Sequence, residues 1–90
     1  MQRFFVNVKG RVQGVGFRYF CRETALEFGV SGWVKNESDG SVSLEAQASA
    51  NILNKYIDRV SRGPSFSKVT DLKKDENSYL KGDSGFSIRY

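Results

Sequence analysis

Apolar and polar residues alternate near the N-terminus, which is typical of a β-strand with one buried face. Val6 and Val8 lie on the apolar side of this alternation, and Asn7 lies on the polar side. Similar patterns recur later in the chain, and Asp39-Gly40 marks a tight turn that joins two of them into a hairpin. The sequence predicts strands near residues 4–9, 30–35, 42–46, 66–72 and 86–90.

Two other segments carry apolar residues with the period of about 3.6 residues that is expected of an amphipathic helix. The first segment has its apolar stripe at Phe17, Phe20, Cys21, Thr24, Ala25 and Phe28. Gly29 follows this stripe, at the position where a left-handed glycine commonly ends a helix. The second segment begins after Ser49, a favourable N-cap residue, and ends at Gly63-Pro64. Its predicted buried face consists of Leu53, Tyr56, Ile57 and Val60.

The predicted elements follow the order β-α-β-β-α-β, with one further strand at the end. Residues 75–85 are polar and are expected to form a loop. This order predicts an α+β fold of the split βαβ type, in which two helices cover one face of an antiparallel sheet of four to five strands. The chain is long enough for one core, so we expect residues 1–90 to form a single domain.

Composition excludes several classes of chemistry. The chain has no histidine and one cysteine, so it lacks Ser-His and Cys-His nucleophile pairs, the usual zinc ligand sets and an internal disulfide. That cysteine, Cys21, lies on the apolar stripe of the first helix, which favours a small core residue over a nucleophile. No apolar run approaches the roughly 20 residues that cross a bilayer. We therefore expect a cytoplasmic protein with no metal, no cofactor and no membrane partner.

The charge balance weakly favours an anionic ligand. Lys and Arg number 14 against 10 Asp and Glu, which gives a formal net charge of +4, and the basic residues are scattered along the chain. One use of such charge on a split βαβ sheet is to bind RNA. The aromatic RNA-binding motif is missing from the third strand, at residues 41–46, so we expect no nucleic-acid partner.

The segment Gly10–Arg18 is the best candidate for a binding site. Its glycines let backbone N–H groups approach a bound group, and the helix that follows adds unpaired N–H donors and the positive end of a dipole. No Lys-Ser/Thr pair follows the last glycine, so this is not a Walker A loop. Arg18, in the first helical turn, can contact two phosphate oxygens with its guanidinium. The pattern alone fits an exposed helix-surface arginine equally well.

Four blocks of the sequence resemble the acylphosphatases in residue type, order and spacing. They are Gly10–Arg18, Gly32–Asn36, Asp39-Gly40 and Arg62–Pro64. The resemblance extends over nearly the whole chain. It implies a small ferredoxin-like α/β enzyme that hydrolyses acyl phosphates to a carboxylate and inorganic phosphate without a metal.

The resemblance also implies roles for particular residues. Arg18 would bind the substrate phosphate, and Asn36 would orient the attacking water. Taken alone, Asn36 at the end of the second strand is more typical of a residue that bonds the local backbone. The phosphate cradle would consist of the backbone amides of Gln13, Gly14, Val15, Gly16, Phe17 and Arg18. Ala48, often a glycine in the family, and residues 75–85, which carry no family motif, depart from the pattern away from this site.

The chemistry left open by the composition suits such a substrate. An acyl phosphate is a mixed anhydride whose leaving group is a carboxylate, and because the pKa of its acid is about 4 it departs without a proton. Phosphoryl transfer depends mostly on positioning and charge stabilisation, which N–H donors and an arginine supply. Since the sequence offers no obvious base, we hypothesise that a phosphate oxygen of the substrate accepts the proton of the attacking water.

One alternative within the family remains open. The chain could be a non-catalytic or regulatory acylphosphatase-like domain, of the kind that occurs inside larger maturation enzymes. We expect instead a free-standing, monomeric enzyme whose partners are a small acyl phosphate as substrate and inorganic phosphate as product.

Overall fold

The computed structural model describes residues 1–77, 79–82 and 84–90 of the chain. Within these ranges the strands and helices are β1 Gln2–Arg11, α1 Phe17–Phe28, β2 Ser31–Asn36, β3 Val42–Ala48, α2 Ala50–Arg62, β4 Lys68–Asn77 and β5 Phe86–Arg89. The strands form a sheet in the order β4-β1-β3-β2-β5. The order of the elements confirms the predicted split βαβ arrangement.

Strand pairing makes the sheet mixed. β1 pairs antiparallel with β3 and β4, and β2 pairs antiparallel with β3, as predicted. β5 lies beside β2 and runs parallel to it, with Val34 opposite Ile88. The reason is geometric: β4 runs against β1, so a strand that returns after β4 runs in the direction shared by β1 and β2. The antiparallel prediction therefore holds for four strands, and the parallel β5 is the difference.

Both helices pack on the sheet and on each other around one cluster of buried side chains. Val6, Val8 and Leu44 are completely buried on the sheet side of this cluster. The buried residues of the helices lie on the predicted faces, at Phe17, Cys21, Thr24, Ala25, Leu53, Tyr56, Ile57 and Val60. Phe20 and Phe28 of the predicted stripe are partly buried. The periodicity therefore identified the core correctly.

β4 differs from prediction in its bounds. It spans Lys68–Asn77 rather than residues 66–72, so the predicted loop at 75–85 begins later. The cause is pairing with β1, whose length β4 matches almost end to end. Charged residues are tolerated there because β4 is an edge strand. Ser78 and Asp83, which belong to the predicted loop, lie outside the described residues.

On the face away from the helices, polar side chains pair with one another. Arg3 is completely buried, and its guanidinium donates to Glu45 Oε1 at 2.6 Å and to Gln47 Oε1 at 3.1 Å. Trp33 is 8% exposed, and the guanidinium carbon of Arg89 lies 4.7 Å from its ring centroid. Trp33 therefore packs on the sheet surface that the helices leave open.

Candidate active site

A cavity of about 290 Å³ lies where the loop after β1 meets the N-terminus of α1, the end of β2 and the last strand. It is lined by Val12, Gly14, Gly16, Phe17, Arg18, Tyr19, Asn36, Ile88 and Tyr90. The predicted site residues among these are Gly14, Gly16, Phe17, Arg18 and Asn36. Gln13 and Val15 do not line the described cavity, and Val15 packs partly against the core. The structure therefore brings the two predicted catalytic side chains to one place.

The loop reaches the helix through two left-handed glycines. Gly14 has φ 73° and Gly16 has φ 76°. A Cβ atom added at either position would meet nothing within 4 Å, so space does not require glycine there. The left-handed conformation does, since it costs an L-residue about 1–2 kcal/mol. These two glycines let the chain turn sharply from β1 into α1 beside the cavity.

The first turn of α1 presents unpaired backbone donors at the cavity. The N–H of Phe20 makes a first-turn helical hydrogen bond, to the carbonyl of Gly16 at 3.0 Å. The N–H groups of Phe17, Arg18 and Tyr19 precede it and have no partner within the helix. The N-cap residue supplies no side-chain hydrogen bond, and the first turn has no acidic residue. This end of the helix, with its positive dipole, therefore favours an anion.

Arg18 is held at the cavity by the C-terminal end of the chain. Its Nη1 donates to the backbone carbonyl of Arg89 at 3.3 Å, and its guanidinium carbon lies 4.7 Å from the ring centroid of Tyr90. The remaining guanidinium N–H groups can bind an anion in the cavity. No local pattern in the sequence indicates this tether, because the partners are 71 positions apart.

Asn36 is the last residue of β2 and presents an unused acceptor. Its Oδ1 is buried and has no hydrogen-bond partner among the described residues. A buried polar atom without a partner is uncommon, because its desolvation is left uncompensated. In a cavity, such an oxygen is suited to accept a hydrogen bond from a water molecule or a ligand.

The side chain of Gln13 has a structural role that the sequence did not indicate. Its Nε2 donates to the carbonyl of Glu37 at 2.7 Å and to the carbonyl of Ser41 at 2.9 Å. These two carbonyls belong to the connection between β2 and β3, directly after Asn36. Gln13 therefore fixes the glycine loop relative to the residue that carries the unused acceptor.

The same connection is stabilised from within. The hydroxyl and the backbone N–H of Ser41 donate to Asp39 Oδ1 at 2.6 and 2.9 Å, and they hold the pKa of Asp39 below its usual value. Asn7 of β1 donates to the hydroxyl of Ser41 at 3.0 Å. The predicted turn at Asp39-Gly40 is confirmed, and the carboxylate of Asp39 stabilises it by accepting the two hydrogen bonds from Ser41.

The chemistry of the lining is limited. Among the residues that the structure describes, the lining side chains include no Asp, Glu or Cys. Cys21 is completely buried, which raises the pKa of its thiol and keeps it neutral, so it is the core residue that was predicted. Across residues 1–77, 79–82 and 84–90, no group of three or more His, Cys, Asp and Glu could hold a metal ion. Over the same residues, neither helix has the length and apolar character needed to cross a membrane.

These observations define a small split βαβ protein with a candidate anion site at the N-terminus of its first helix. Comparison with known proteins identifies the family. The acylphosphatase family model matches residues 4–88. An acylphosphatase of Bacillus subtilis (strain 168) is 44% identical over 90 residues, which cover 100% of this chain and 99% of that protein. The chain belongs to the acylphosphatase family.

Solved structures agree with this assignment. The crystal structure of acylphosphatase from Bacillus subtilis matches with a TM-score of 0.97 and 44% identity, over 100% of both chains. The crystal structure of full-length HypF in the phosphate- and nucleotide-bound form matches with a TM-score of 0.91 and 28% identity, over 99% of this chain and 12% of that chain. The predicted ferredoxin-like fold and the predicted enzyme class, acylphosphatase, are confirmed.

Proposed function

We propose that this enzyme hydrolyses the carboxyl-phosphate bond of acyl phosphates, with Arg18 binding the phosphate and Asn36 orienting the attacking water. One observation carries the proposal. Arg18 and Asn36 line one cavity at the N-terminus of α1, and Asn36 Oδ1 is a buried acceptor without a hydrogen-bond partner among the described residues. This arrangement offers donors for an anion and an acceptor for a water molecule, which are what the hydrolysis of an acyl phosphate needs when no covalent intermediate forms.

The phosphate is held by charge and by directed hydrogen bonds. Arg18 contributes a guanidinium that can contact two oxygens, and the backbone N–H groups of residues 13–18 supply further donors. Charge spreads over the equatorial phosphate oxygens in the transition state of phosphoryl transfer. Donors fixed in place before the reaction stabilise that charge without reorganising, so they act on the rate as well as on binding.

The water attacks phosphorus from the side opposite the acyl oxygen. Asn36 Oδ1 accepts a hydrogen bond from the water molecule and so directs a lone pair of the water oxygen at phosphorus. The bond from the water oxygen to phosphorus forms as the bond from phosphorus to the acyl oxygen breaks, and its electron pair leaves with the carboxylate. A phosphate oxygen of the substrate takes the proton, so the products are a carboxylate and inorganic phosphate. The carboxylate needs no proton to leave, because the pKa of its acid is about 4.

We further propose that the reaction requires no metal or cofactor and that the 90 residues act as one monomeric domain. The described part of the lining has no carboxylate side chain, which supports the first point, since Mg²⁺ in phosphate sites is usually held by one or two of them. A single core cluster shared by both helices and the sheet supports one domain. A cytoplasmic location is in keeping with Cys21, a buried free thiol.

Hydrolysis of benzoyl phosphate in the presence of EDTA tests this function. We expect turnover that EDTA does not lower and that inorganic phosphate inhibits competitively. Asn36→Ala should lower kcat about 100-fold and change KM less than about threefold, because the amide acts on the water rather than on the bound phosphate.

Asn54→Ala, an exposed asparagine on α2, is the matched control and should keep the parent kcat. Turnover that disappears with EDTA and returns with Mg²⁺ would refute the metal-independent mechanism. A kcat for Asn36→Ala equal to that of the control would remove the role given to Asn36.

A further inference from the structure

The lining of the cavity has polar and apolar members. The polar members are Arg18, Asn36 and the glycines of the loop, where the phosphate is placed under the proposed function. The apolar members, here called the apolar side, are Val12, Phe17, Tyr19, Ile88 and Tyr90. At about 290 Å³ the cavity lies close to the range of about 300–1,000 Å³ typical of small-molecule sites. It therefore has room for more than a phosphate group.

Two members of the apolar side carry exposed rings. Tyr19 is 58% exposed and Tyr90 is 99% exposed, whereas Val12 and Phe17 are almost completely buried in the core. The ring of Tyr90 contacts the guanidinium of Arg18, the proposed phosphate ligand, whereas the guanidinium near the ring of Tyr19 belongs to Arg22, which does not line the described cavity. Tyr19 is therefore the exposed ring that remains for a second group of the substrate.

Tyr19 stands on a rigid element and is held from the side. It follows Arg18 directly in the first turn of α1, so its position relative to the phosphate site is fixed by the helix. The guanidinium carbon of Arg22, one turn further on, lies 5.4 Å from the centroid of its ring. Groups placed on helices determine ligand geometry better than groups on loops.

We propose that Tyr19 is a specificity-determining residue, whose ring forms the wall of an acyl-group subsite and favours aromatic acyl phosphates over acetyl phosphate. This inference rests on the proposed function. It concerns the acyl group, which is the part of the substrate that the phosphate site does not contact. An aromatic acyl group that packs against the ring of Tyr19 loses contact with water and gains a ring-to-ring contact. The methyl group of acetyl phosphate is too small to gain as much.

The test compares kcat/KM for benzoyl phosphate and for acetyl phosphate in the parent, in Tyr19→Ala and in Tyr19→Phe. The ratio of the two values in each variant is divided by the same ratio in the parent, so that the intrinsic reactivities of the substrates cancel. We expect Tyr19→Ala to lower the preference for benzoyl phosphate about three- to tenfold, the size of an aromatic contact. Tyr19→Phe keeps the ring and should keep the preference within about twofold.

Two controls separate the subsite from the rest of the enzyme. Tyr79→Ala removes an exposed tyrosine, 76% accessible, that does not line the cavity, and it should leave the preference unchanged. The inhibition constant of inorganic phosphate reports on the phosphate site alone and should be the same in Tyr19→Ala as in the parent. Tyr19→Gln, which keeps side-chain length without a ring, replaces Tyr19→Ala if that variant does not fold.

The outcomes distinguish this inference from the function on which it rests. A parent that hydrolyses neither substrate refutes the proposed function, and the subsite with it. A parent that hydrolyses both, with an equal loss for both substrates in Tyr19→Ala, overturns the subsite alone. The same holds if Tyr19→Phe loses the preference as fully as Tyr19→Ala, because the ring would then not be the determinant.

Discussion

The two helices begin in different ways, although each follows a strand of the same sheet. α1 is reached from β1 through residues 12–16, and its N-cap is Gly16, whose φ is 76°. α2 is reached from β3 through Ser49 alone, in an extended conformation with φ −63° and ψ 154°. Neither N-terminus has a side-chain cap. The loop before α1 leaves a cavity, and the short connection before α2 does not contribute to it.

The placement of arginines follows the same difference. Arg18 stands in the first turn of α1, beside unpaired N–H groups, where a cation is unfavourable unless an anion is bound. The arginines of α2, Arg59 and Arg62, lie in its last turn, where a cation stabilises the helix dipole. In this protein the helix N-terminus that forms a candidate anion site is the one with a loop and a cavity in front of it. Its first turn also carries an arginine, which destabilises the helix unless an anion is bound.

The largest expected effect comes from removing the arginine of α1. Arg18→Ala should lower kcat/KM for benzoyl phosphate about 100- to 1,000-fold, because a donor to the transition-state charge is lost. Arg59→Ala, which removes a half-exposed arginine whose Nη2 lies 3.5 Å from Glu27 Oε2, should keep kcat/KM within about twofold. Arg18→Lys keeps the positive charge but lacks the forked geometry of a guanidinium, so its kcat/KM should lie between those of the parent and of Arg18→Ala. An equal loss of kcat/KM in Arg18→Ala and Arg59→Ala would contradict the assignment of the substrate site to the N-terminus of α1.

The next effect comes from the left-handed start of α1. Gly16→Ala should lower the free energy of unfolding by about 1–2 kcal/mol, measured in urea, because φ 76° is strained for alanine. Relief of that strain moves the backbone donors, so phosphate inhibition should weaken as well. Gly82→Ala is the control, since its added Cβ meets nothing within 4 Å and no left-handed φ is required. A Gly16→Ala protein with unchanged stability and unchanged phosphate inhibition would contradict the assignment of this loop.

Removing the side chain of Gln13 tests how the loop is attached. Gln13→Ala leaves the carbonyls of Glu37 and Ser41 without these donors and should lower the free energy of unfolding by about 1–2 kcal/mol. kcat should fall more than the affinity for inorganic phosphate, since the attachment positions Asn36 relative to the loop. Thermal unfolding and steady-state kinetics measure the two effects. A loss of phosphate affinity alone would show that Gln13 acts on the cradle instead.

The smallest effect is expected at the start of α2. Ser49→Ala should change the free energy of unfolding by less than about 0.5 kcal/mol, because the usual loss of about 0.5–2 kcal/mol requires a capping hydrogen bond that Ser49 does not make. kcat/KM should stay at the parent value. Chemical denaturation checks the first point, and a loss of about 1 kcal/mol or more would mean that the hydroxyl caps the helix after all.

Local pattern predicted the parts of the molecule that local sequence determines. The stripe of α1, its end at Gly29 and the Asp39-Gly40 turn follow from periodicity and from glycine conformation. The predicted end of β4 is wrong because the observed end depends on pairing with β1, which is far away in the chain. The attachment of Gln13 was missed because its acceptors are 24 and 28 positions away. Nothing near a residue in sequence encodes such contacts.

The tether between Arg18 and the carbonyl of Arg89 has a consequence for folding. It joins positions that are 71 residues apart, and β5 itself docks in parallel at the edge of the sheet. Closing such a long loop follows the formation of local structure, because its entropy must be offset by many contacts. During refolding, helical signal should therefore return before enzyme activity. Turnover in this molecule reports that the last strand is in place.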